Sequence, residues 1–319
     1  MNAFADAAET ITADDVCAAR EAIGDDLHRT PVFSSRTLGP DVYLKAELFQ
    51  RTGSFKPRGV LNKLRSLTAE ERERGVIGVS AGNHAQALAW CARLEGLDAL
   101  LVMWRSASPA KVAATVAYGA EVDLEAEGPE TVFDRLDELI EETGRTLVHP
   151  FDDPLVAAGQ GTVGLEIAED VPDVETVVVP VGGGGLISGI AAALPEAQII
   201  GVEPATSNAL TVGLAANEPT PVSPVSIADG LNAPFAGELA IRVAREHGVQ
   251  IVLLEEEEIE EGMRFCYERA KLACEPAGAA AVAAIRAGRI PLKEGETVVA
   301  VVSGGNVSGE TAAAILAPP

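Results

Sequence analysis

The chain has 319 residues, and 24 basic against 48 acidic side chains give it a formal charge of −24. Hydrophobic residues at 47% are enough for buried cores, which excludes a disordered or collagen-like polymer. The acidity argues against nucleic acid as a partner, because a polyanion is repelled rather than steered in.

Strand-like and helix-like segments alternate along almost the whole chain. A strand at Val42 to Glu47 leads to a helix from Pro57 to Leu67 and a strand from Val76 to Ser80. A helix from Asn83 to Leu94, a strand from Ala99 to Met103 and a helix from Pro109 to Tyr118 follow. Next come a strand at Glu121 to Glu125, a helix from Glu130 to Thr143 and a strand at Thr146 to His149. The second series is helix Val156 to Asp170, strand Thr176 to Val181, helix Leu186 to Leu194 and strand Gln198 to Val202. The last is strand Val249 to Leu254, helices Glu258 to Ala273 and Ala277 to Ala287, and strand Thr297 to Val302. Continuous Val/Ile/Leu strands alternating with helices predict an α/β fold of parallel sheets covered on both faces. Ligands of such sheets sit at the carboxyl ends of the strands. The stretch from Glu203 to Pro234 is the least regular and reads as a long surface excursion.

Residues Met1 to Arg20 carry acidic side chains and no apolar core of a leader, so no secretory signal is expected. Apolar runs are short or interrupted by Gly and Pro, so no membrane span is expected either, and the location expected is the cytoplasm. Cys17, Cys91, Cys266 and Cys274 form no C-x-x-C pair and lie in helix-like sequence, which reads as four buried thiols rather than a metal site or disulfide frame.

Four clusters fall at strand ends. In Gly53-Ser54-Phe55-Lys56-Pro57-Arg58-Gly59 the proline marks a first helical position, so Lys56 stands at a helix mouth. The positive end of the helix dipole there favours a neutral, nucleophilic amine. Ser80-Ala81-Gly82-Asn83-His84-Ala85-Gln86 is a small-residue turn into a helix, with backbone N–H groups suited to a carboxylate. The bland reading makes Asn83 a helix cap and His84 an interior imidazole. Gly182-Gly183-Gly184-Gly185, between a strand and a helix, is a phosphate cradle without the Gly-Lys-Ser/Thr of a P-loop. It also partly imitates a dinucleotide fingerprint, because Glu203 closes the next strand where a ribose-binding carboxylate would stand. Ile187 and Ser188 occupy the places where that fingerprint needs its third glycine. The fourth cluster, Ser303-Gly304-Gly305-Asn306, puts a neutral hydroxyl at the end of the last strand.

A nucleophilic lysine, a phosphate cradle without nucleotide logic and polar groups at neighbouring strand ends suit pyridoxal 5'-phosphate. In their order and spacing, S-F-K-P-R-G, S-A-G-N-H-A-Q, G-G-G-G-L and S-G-G-N resemble the fold type II (β-family) pyridoxal-phosphate enzymes. The likeness is to the threonine/serine dehydratase and serine racemase branch. It runs from about Thr30 to the C-terminus and includes H-P-F-D-D-P from His149, A-D-G-L from Ala228 and E-P-A-G-A from Glu275.

The resemblance implies two three-layer parallel-sheet domains with the cofactor in the cleft between them. Residues 1–74 and 149–319 would form the large one and residues 75–148 the small inserted one. It implies that Lys56 binds the cofactor's aldehyde and, once free, serves as base for the Cα proton. Gly182, Gly183, Gly184 and Gly185 match the phosphate loop, Asn83 the contact to the phenolic oxygen, and Ser303 the partner of the pyridine nitrogen. Ser80, Ala81, Gly82, Asn83 and His84 match the loop that grips the substrate carboxylate, and Glu275 lies near the ring. A serine cannot keep that nitrogen protonated as an aspartate would, so elimination is favoured over transamination. The implied activity is a threonine/serine ammonia-lyase, working as a homodimer or homotetramer.

Two departures bear on the alternatives. Similar racemases carry a second Ser after the first in the Asn-His loop, and here that position is Ala81, so racemisation is expected to be slow. The racemase-type metal site pairs a Glu-Pro glutamate with an Asp six residues on; Glu203-Pro204 is present, but Ala209 follows, so no dedicated metal site is expected. A 3-hydroxyaspartate ammonia-lyase would need a cation for the second carboxylate. A dinucleotide oxidoreductase is the unrelated alternative. The chain stops after the helix following Ser303, so feedback control through a C-terminal regulatory domain is not expected.

Only six Lys accompany 18 Arg, and acidic runs such as Glu255-Glu256-Glu257-Glu258 read as solvated helix starts. So large an acidic excess repels itself unless screened, which suits a salt-rich cytoplasm. Thermal stability is expected to rise from low to molar salt; a flat or falling midpoint would remove that reading.

Overall fold

A computed structural model of the chain describes residues 10–128 and 131–317. Its strands are β1 (Val32–Ser34), β2 (Val42–Ala46), β3 (Val76–Val79), β4 (Ala99–Trp104), β5 (Glu121–Ala126), β6 (Thr146–Leu147), β7 (Thr176–Pro180), β8 (Gln198–Pro204), β9 (Gln250–Leu254) and β10 (Val298–Val302). They form a six-stranded sheet, β1-β2-β10-β7-β8-β9, and a four-stranded sheet, β5-β4-β3-β6. All pairings are parallel except β1 on β2, so the two-parallel-sheet expectation holds, with one antiparallel edge added. The four strands of the smaller sheet are consecutive in the chain, between β2 and β7.

Strand alternation explains the layering. Val298, Ala300 and Val302 of β10 join one core with the helices Glu256–Phe265 and Pro276–Arg286. Val299 and Val301 point the other way, into a core with the helices Pro154–Asp170, Gly185–Ala193 and Glu238–Glu246. In the smaller sheet Val76 faces the helix Asn83–Glu95, whereas Ile77 and Val79 face the helix Val132–Thr143. Prolines at first-turn positions open the helices Pro57–Arg65, Pro109–Ala117, Pro154–Asp170 and Pro276–Arg286. Thr12 with Asp15, and Thr68 with Glu71, form capping boxes that start the helices Ala13–Ile23 and Ala69–Arg74.

Several expectations need correction. The stretch from Glu203 to Pro234 is no surface excursion: it contains the helix Ala209–Ala216, and Ala228, Leu231 and Ala233 are buried. Glu203 anchors that helix, its carboxylate accepting from Leu210 N at 2.7 Å, Thr211 N at 2.9 Å and Thr211 Oγ1 at 2.7 Å. The long helix read to Ala273 gives way after Phe265 to a π turn, Cys266–Ala270, closed by Lys271 at φ 61°. The strand read to His149 pairs only over Thr146–Leu147, because the imidazole Nδ1 accepts from Asp152 N at 2.7 Å and turns the chain. The helix read from Glu130 runs Val132–Thr143, and Glu130 itself lies outside the described residues. Cys91, Cys266 and Cys274 are buried, but Cys17 is exposed, and Cys274 lies outside any helix.

One polar knot lies inside the larger unit. Arg58 donates from Nε to Glu47 at 2.8 Å and from Nη1 to Glu166 at 2.7 Å, while Lys45 Nζ reaches Glu166 at 2.6 Å. Two cations and two carboxylates, all buried, thus tie β2, the helix carrying Lys56 and the helix Pro154–Asp170 together. Burial opposes ionisation of Glu166, yet Arg58 and Lys45 hold its carboxyl below the ordinary value. Removing one member leaves an uncompensated charge in the interior. Arg58→Leu is expected to cost roughly 3–5 kcal/mol in urea unfolding, whereas loss of the exposed Arg20–Glu169 pair costs less than about 1 kcal/mol. Equal costs for the two would show that the knot is not a structural anchor.

Candidate active site

The four clusters meet at the carboxyl ends of β3, β7 and β10. Phe55 N donates to Ser303 O at 3.1 Å, Gly305 N to Gly53 O at 2.9 Å, and Ser54 bridges Gly304, so the first cluster is sewn to the fourth. Ser303 is buried at the end of β10. Glu275 N donates to Gly304 O at 3.1 Å, and a Cβ on Gly304 would land on the Glu275 carboxylate. The second cluster joins through Asn83, whose Nδ2 donates to Glu275 Oε1 at 2.7 Å and whose Oδ1 accepts from Asn306 Nδ2 at 2.8 Å.

The glycine loop is reached from two sides. Lys56 Nζ donates to Pro150 O at 2.7 Å, and the ring of Phe151, the next residue, lies where a Cβ of Gly183 would be. A Cβ on Gly182 would meet Leu231, and one on neighbouring Gly230 would come within 3.8 Å of both Asn83 Nδ2 and Glu275 Oε1. Gly184 takes φ 95°, closed to most L residues, and caps the helix Gly185–Ala193. The first N–H groups of that helix have no intrahelical acceptor and face the strand ends, as an anion requires.

Lys56 sits at the N-cap of the helix Pro57–Arg65 and is half-buried. Its ammonium is pushed down from 10.5 to about 8, with burial as the cause. Sequence reasoning reached a depressed amine by way of the helix dipole; here desolvation dominates. Burial first, and the nearby Asp229 second, push the Glu275 carboxyl up to about 7, while the Asn83 hydrogen bond opposes the shift.

In the second cluster, Ser80 Oγ accepts from Gly82 N at 3.0 Å, and Gly82 is the N-cap of the helix Asn83–Glu95. Ala81 packs against the apolar core of the smaller unit. Asn83 does not cap its helix through its side chain. His84 fits the bland reading: Nε2 hydrogen-bonds Val148 O at 2.9 Å, and burial pushes the imidazole down to about 3, so it is a neutral donor there. Only its backbone belongs to the loop. Asn306, Gly230 and Phe151 were seen as motif letters but not as site residues; their proximity is a tertiary fact, invisible in turn signals.

Other contacts besides Asn83 cross between the units, among them Arg65 with Glu95 at 2.9 Å. Lys111 pairs with Asp229, and Phe133 lies 6.1 Å from Phe235, which in turn packs on Phe151 at 5.5 Å between ring centroids. Glu203, the ribose-binding candidate of the dinucleotide reading, is buried on the helix Ala209–Ala216, so that reading falls.

An amine near neutrality, an all-glycine loop on a helix mouth and an amide between two sheets fit an aldehyde-bearing phosphate cofactor with an aromatic hydroxyl. Ser54 Oγ, buried beside them, has no hydrogen-bond partner among the described residues. These features define a pyridoxal-phosphate enzyme of fold type II. The family of pyridoxal-phosphate dependent enzymes matches residues 23–304, and the chain belongs to it. A catabolic L-threonine dehydratase, TdcB, of Staphylococcus aureus is 44% identical, with 94% of this chain and 90% of that protein covered. An L-threonine ammonia-lyase of Thermotoga maritima is 42% identical over 93% of this chain and 76% of its own length. Among solved structures, maize serine racemase is similar with a TM-score of 0.89 and 35% identity, covering 95% of this chain and 96% of its own. A threonine deaminase from T.th. has a TM-score of 0.85 and 38% identity, covering 93% of this chain and 99% of its own.

The Glu275 carboxyl fixes a direction of pH dependence. Its folded value of about 7 lies above the ordinary 4.5, so the unfolded chain releases this proton first. Stability is therefore lost as pH rises from 4.5 to about 7. Glu275→Gln, which keeps an acceptor for Asn83, is expected to abolish that loss, gaining up to about 3 kcal/mol above the upper value and little below the lower one. Urea midpoints across pH test this, and parallel curves for the two proteins would refute it.

Proposed function

We propose that this protein is a pyridoxal-phosphate dependent ammonia-lyase that removes water from L-threonine or L-serine, giving 2-oxobutanoate or pyruvate and ammonia. The observation that carries the reading is a desolvated Lys56 amine in one cleft with the glycine loop, Asn83 and Ser303. The identity to enzymes named threonine dehydratase and threonine ammonia-lyase over nearly the whole chain supports it.

Bound pyridoxal phosphate supplies a sink for the electrons left on Cα when its proton departs. The chain's own groups do the rest. Lys56 holds the aldehyde carbon covalently, and its released amine takes the Cα proton; a value near 8 keeps a useful fraction neutral near physiological pH. Backbone N–H groups of Gly182 to Gly185 bind the phosphate, Asn83 the phenolic oxygen and Ser303 the ring nitrogen. The turn from Ser80 to His84, at the positive end of a helix, grips the substrate carboxylate. Glu275, its carboxyl pushed up to about 7, puts less negative charge against the ring than an ordinary glutamate would.

Residues 1–74 and 149–319 act as the large domain and 75–148 as the inserted one, which agrees with the consecutive strands of the smaller sheet. Elimination is favoured over racemisation because Ala81 offers no base on the opposite face. A second carboxylate, as in 3-hydroxyaspartate, is disfavoured because Lys111 is already paired with Asp229. The enzyme works in a salt-rich cytoplasm as a homodimer or homotetramer, and the exposed Phe33 and Phe49 suit an interface between copies. Among the described residues no helix is long and apolar enough to cross a membrane.

The test is to incubate the holoenzyme with L-threonine, L-serine and 3-hydroxyaspartate in high salt, measuring 2-oxo acid, ammonia and product chirality. L-Threonine or L-serine is expected to yield oxo acid with little D-serine, Lys56→Ala is expected to lose activity by at least about a thousandfold, and Ala81→Ser is expected to gain D-serine formation. Dominant racemisation by the parent enzyme, or turnover of 3-hydroxyaspartate alone, would replace the assignment.

A further inference from the structure

We propose that Asn306 is a positioning residue that locks the side-chain amide of Asn83, so that an N–H rather than the carbonyl is presented to the cofactor's phenolic oxygen. The inference rests on the contact proposed above between Asn83 and that oxygen, and concerns what fixes the amide's orientation.

The lock begins at a group whose polarity is not negotiable. Asn306 Nδ2 donates to Thr52 O at 2.7 Å, and a backbone carbonyl can only accept. The second proton of the same NH2 goes to Asn83 Oδ1 at 2.8 Å, so the carbonyl end of Asn83 must face Asn306. Its NH2 end then faces Glu275 Oε1 at 2.7 Å, and one of its two protons remains for a ligand. Each step dictates the next: Thr52 O, Asn306, Asn83, Glu275.

The chain bends unusually at the origin of this series. Thr52 takes φ 58°, a left-handed conformation that a β-branched residue adopts only under constraint. Gly53 follows at φ 76°, and a Cβ there would stand 2.5 Å from Asn306 Oδ1. The strained turn is what brings the Thr52 carbonyl under the Asn306 amide.

Glu275 does not set the orientation alone. Its carboxyl, pushed up to about 7 by burial and by Asp229, with Lys111 opposing, accepts from an N–H when ionised and donates to a carbonyl when protonated. Either face of the Asn83 amide then satisfies it, and only Asn306 distinguishes them.

The test is a double-mutant cycle on cofactor binding, read by absorbance titration of apoprotein with pyridoxal phosphate, with circular dichroism as a fold check. Asn83→Ala and Asn306→Ala are each expected to raise the Kd about tenfold. The double variant is expected to be no worse than Asn83→Ala, since Asn306 acts through Asn83. The Asn306→Ala to parent ratio of Kd is also expected to widen as pH falls through about 7, where protonated Glu275 can hold the flipped amide. Asn306→Asp keeps the shape but cannot donate to Thr52 O, draws the Asn83 NH2 to itself, and is expected to weaken binding more than Asn306→Ala. Multiplying effects in the double variant and a pH-independent ratio would overturn the proposal, as would Asn306→Asp binding like the parent should Asn306→Ala not fold. An unaltered Kd for Asn83→Ala would instead remove the underlying contact between Asn83 and the cofactor.

Discussion

The site exists because one amide spans two sheets. Asn83 opens the first helix of the smaller unit, yet its side chain is held at both ends by residues of the larger one, Glu275 and Asn306. Those three groups bring the carboxyl end of β3 to the carboxyl end of β10. Parallel sheets leave strand ends rich in unpaired backbone dipoles, and a cleft between two such edges gathers helix mouths from both. A ligand with a phosphate, an aldehyde and a carboxylate-bearing partner needs that kind of cleft, because each of its anionic groups can meet a different helix terminus.

Burial then sets the ionisation of the groups around the cleft. Lys56 and Glu275 are drawn toward neutrality from opposite sides, the ammonium down to about 8 and the carboxyl up to about 7. His84 and His149 are pushed down to about 3 and about 4, chiefly by burial, so both stay neutral. Burial thus shifts each of these groups toward its neutral form, while the Arg58 knot pairs two cations with two carboxylates. Arg58 lies two residues beyond Lys56, the N-cap of the same helix, so the paired charges fix the segment on which the desolvated amine sits. A desolvated amine gives up its proton more readily than one in a salt bridge, which would hold it charged.

What could be read in the sequence follows from which signals are local. Val298–Val302 is an unbroken apolar strand and could only be buried on both faces. Pro57 and Pro109 announced helix starts through their own covalent geometry, whereas the helices read from Val156 and Ala277 begin at Pro154 and Pro276. The glycine loop was legible because backbone approach leaves a compositional trace. Asn306 was not, since its role depends on a carbonyl 254 residues away. Cys17 misled because helix-like surroundings do not say which face a residue takes: Val16, Ala19 and Ile23 form the buried stripe, and Cys17 lies off it. The stretch after Glu203 misled for another reason. Its proline-rich surface segments hid a helix whose N-terminus is satisfied by a buried carboxylate instead of a local capping side chain.

A surface of charge −24 and a site for anions look incompatible, and the resolution is one of range. Repulsion from scattered surface carboxylates acts through solvent and fades beyond a Debye length, about 10 Å at 0.1 M salt and about 3 Å at 1 M. Attraction by helix N–H groups acts at contact, over distances shorter than the Debye length, and so loses less to salt than repulsion between distant surface charges. Salt therefore lowers the barrier to an approaching phosphate or carboxylate more than it weakens the groups that hold it. The same screening relieves the mutual repulsion of the surface. An acidic exterior thus places its demand on the medium, and a cleft that binds through contacts shorter than the screening range shares little of it.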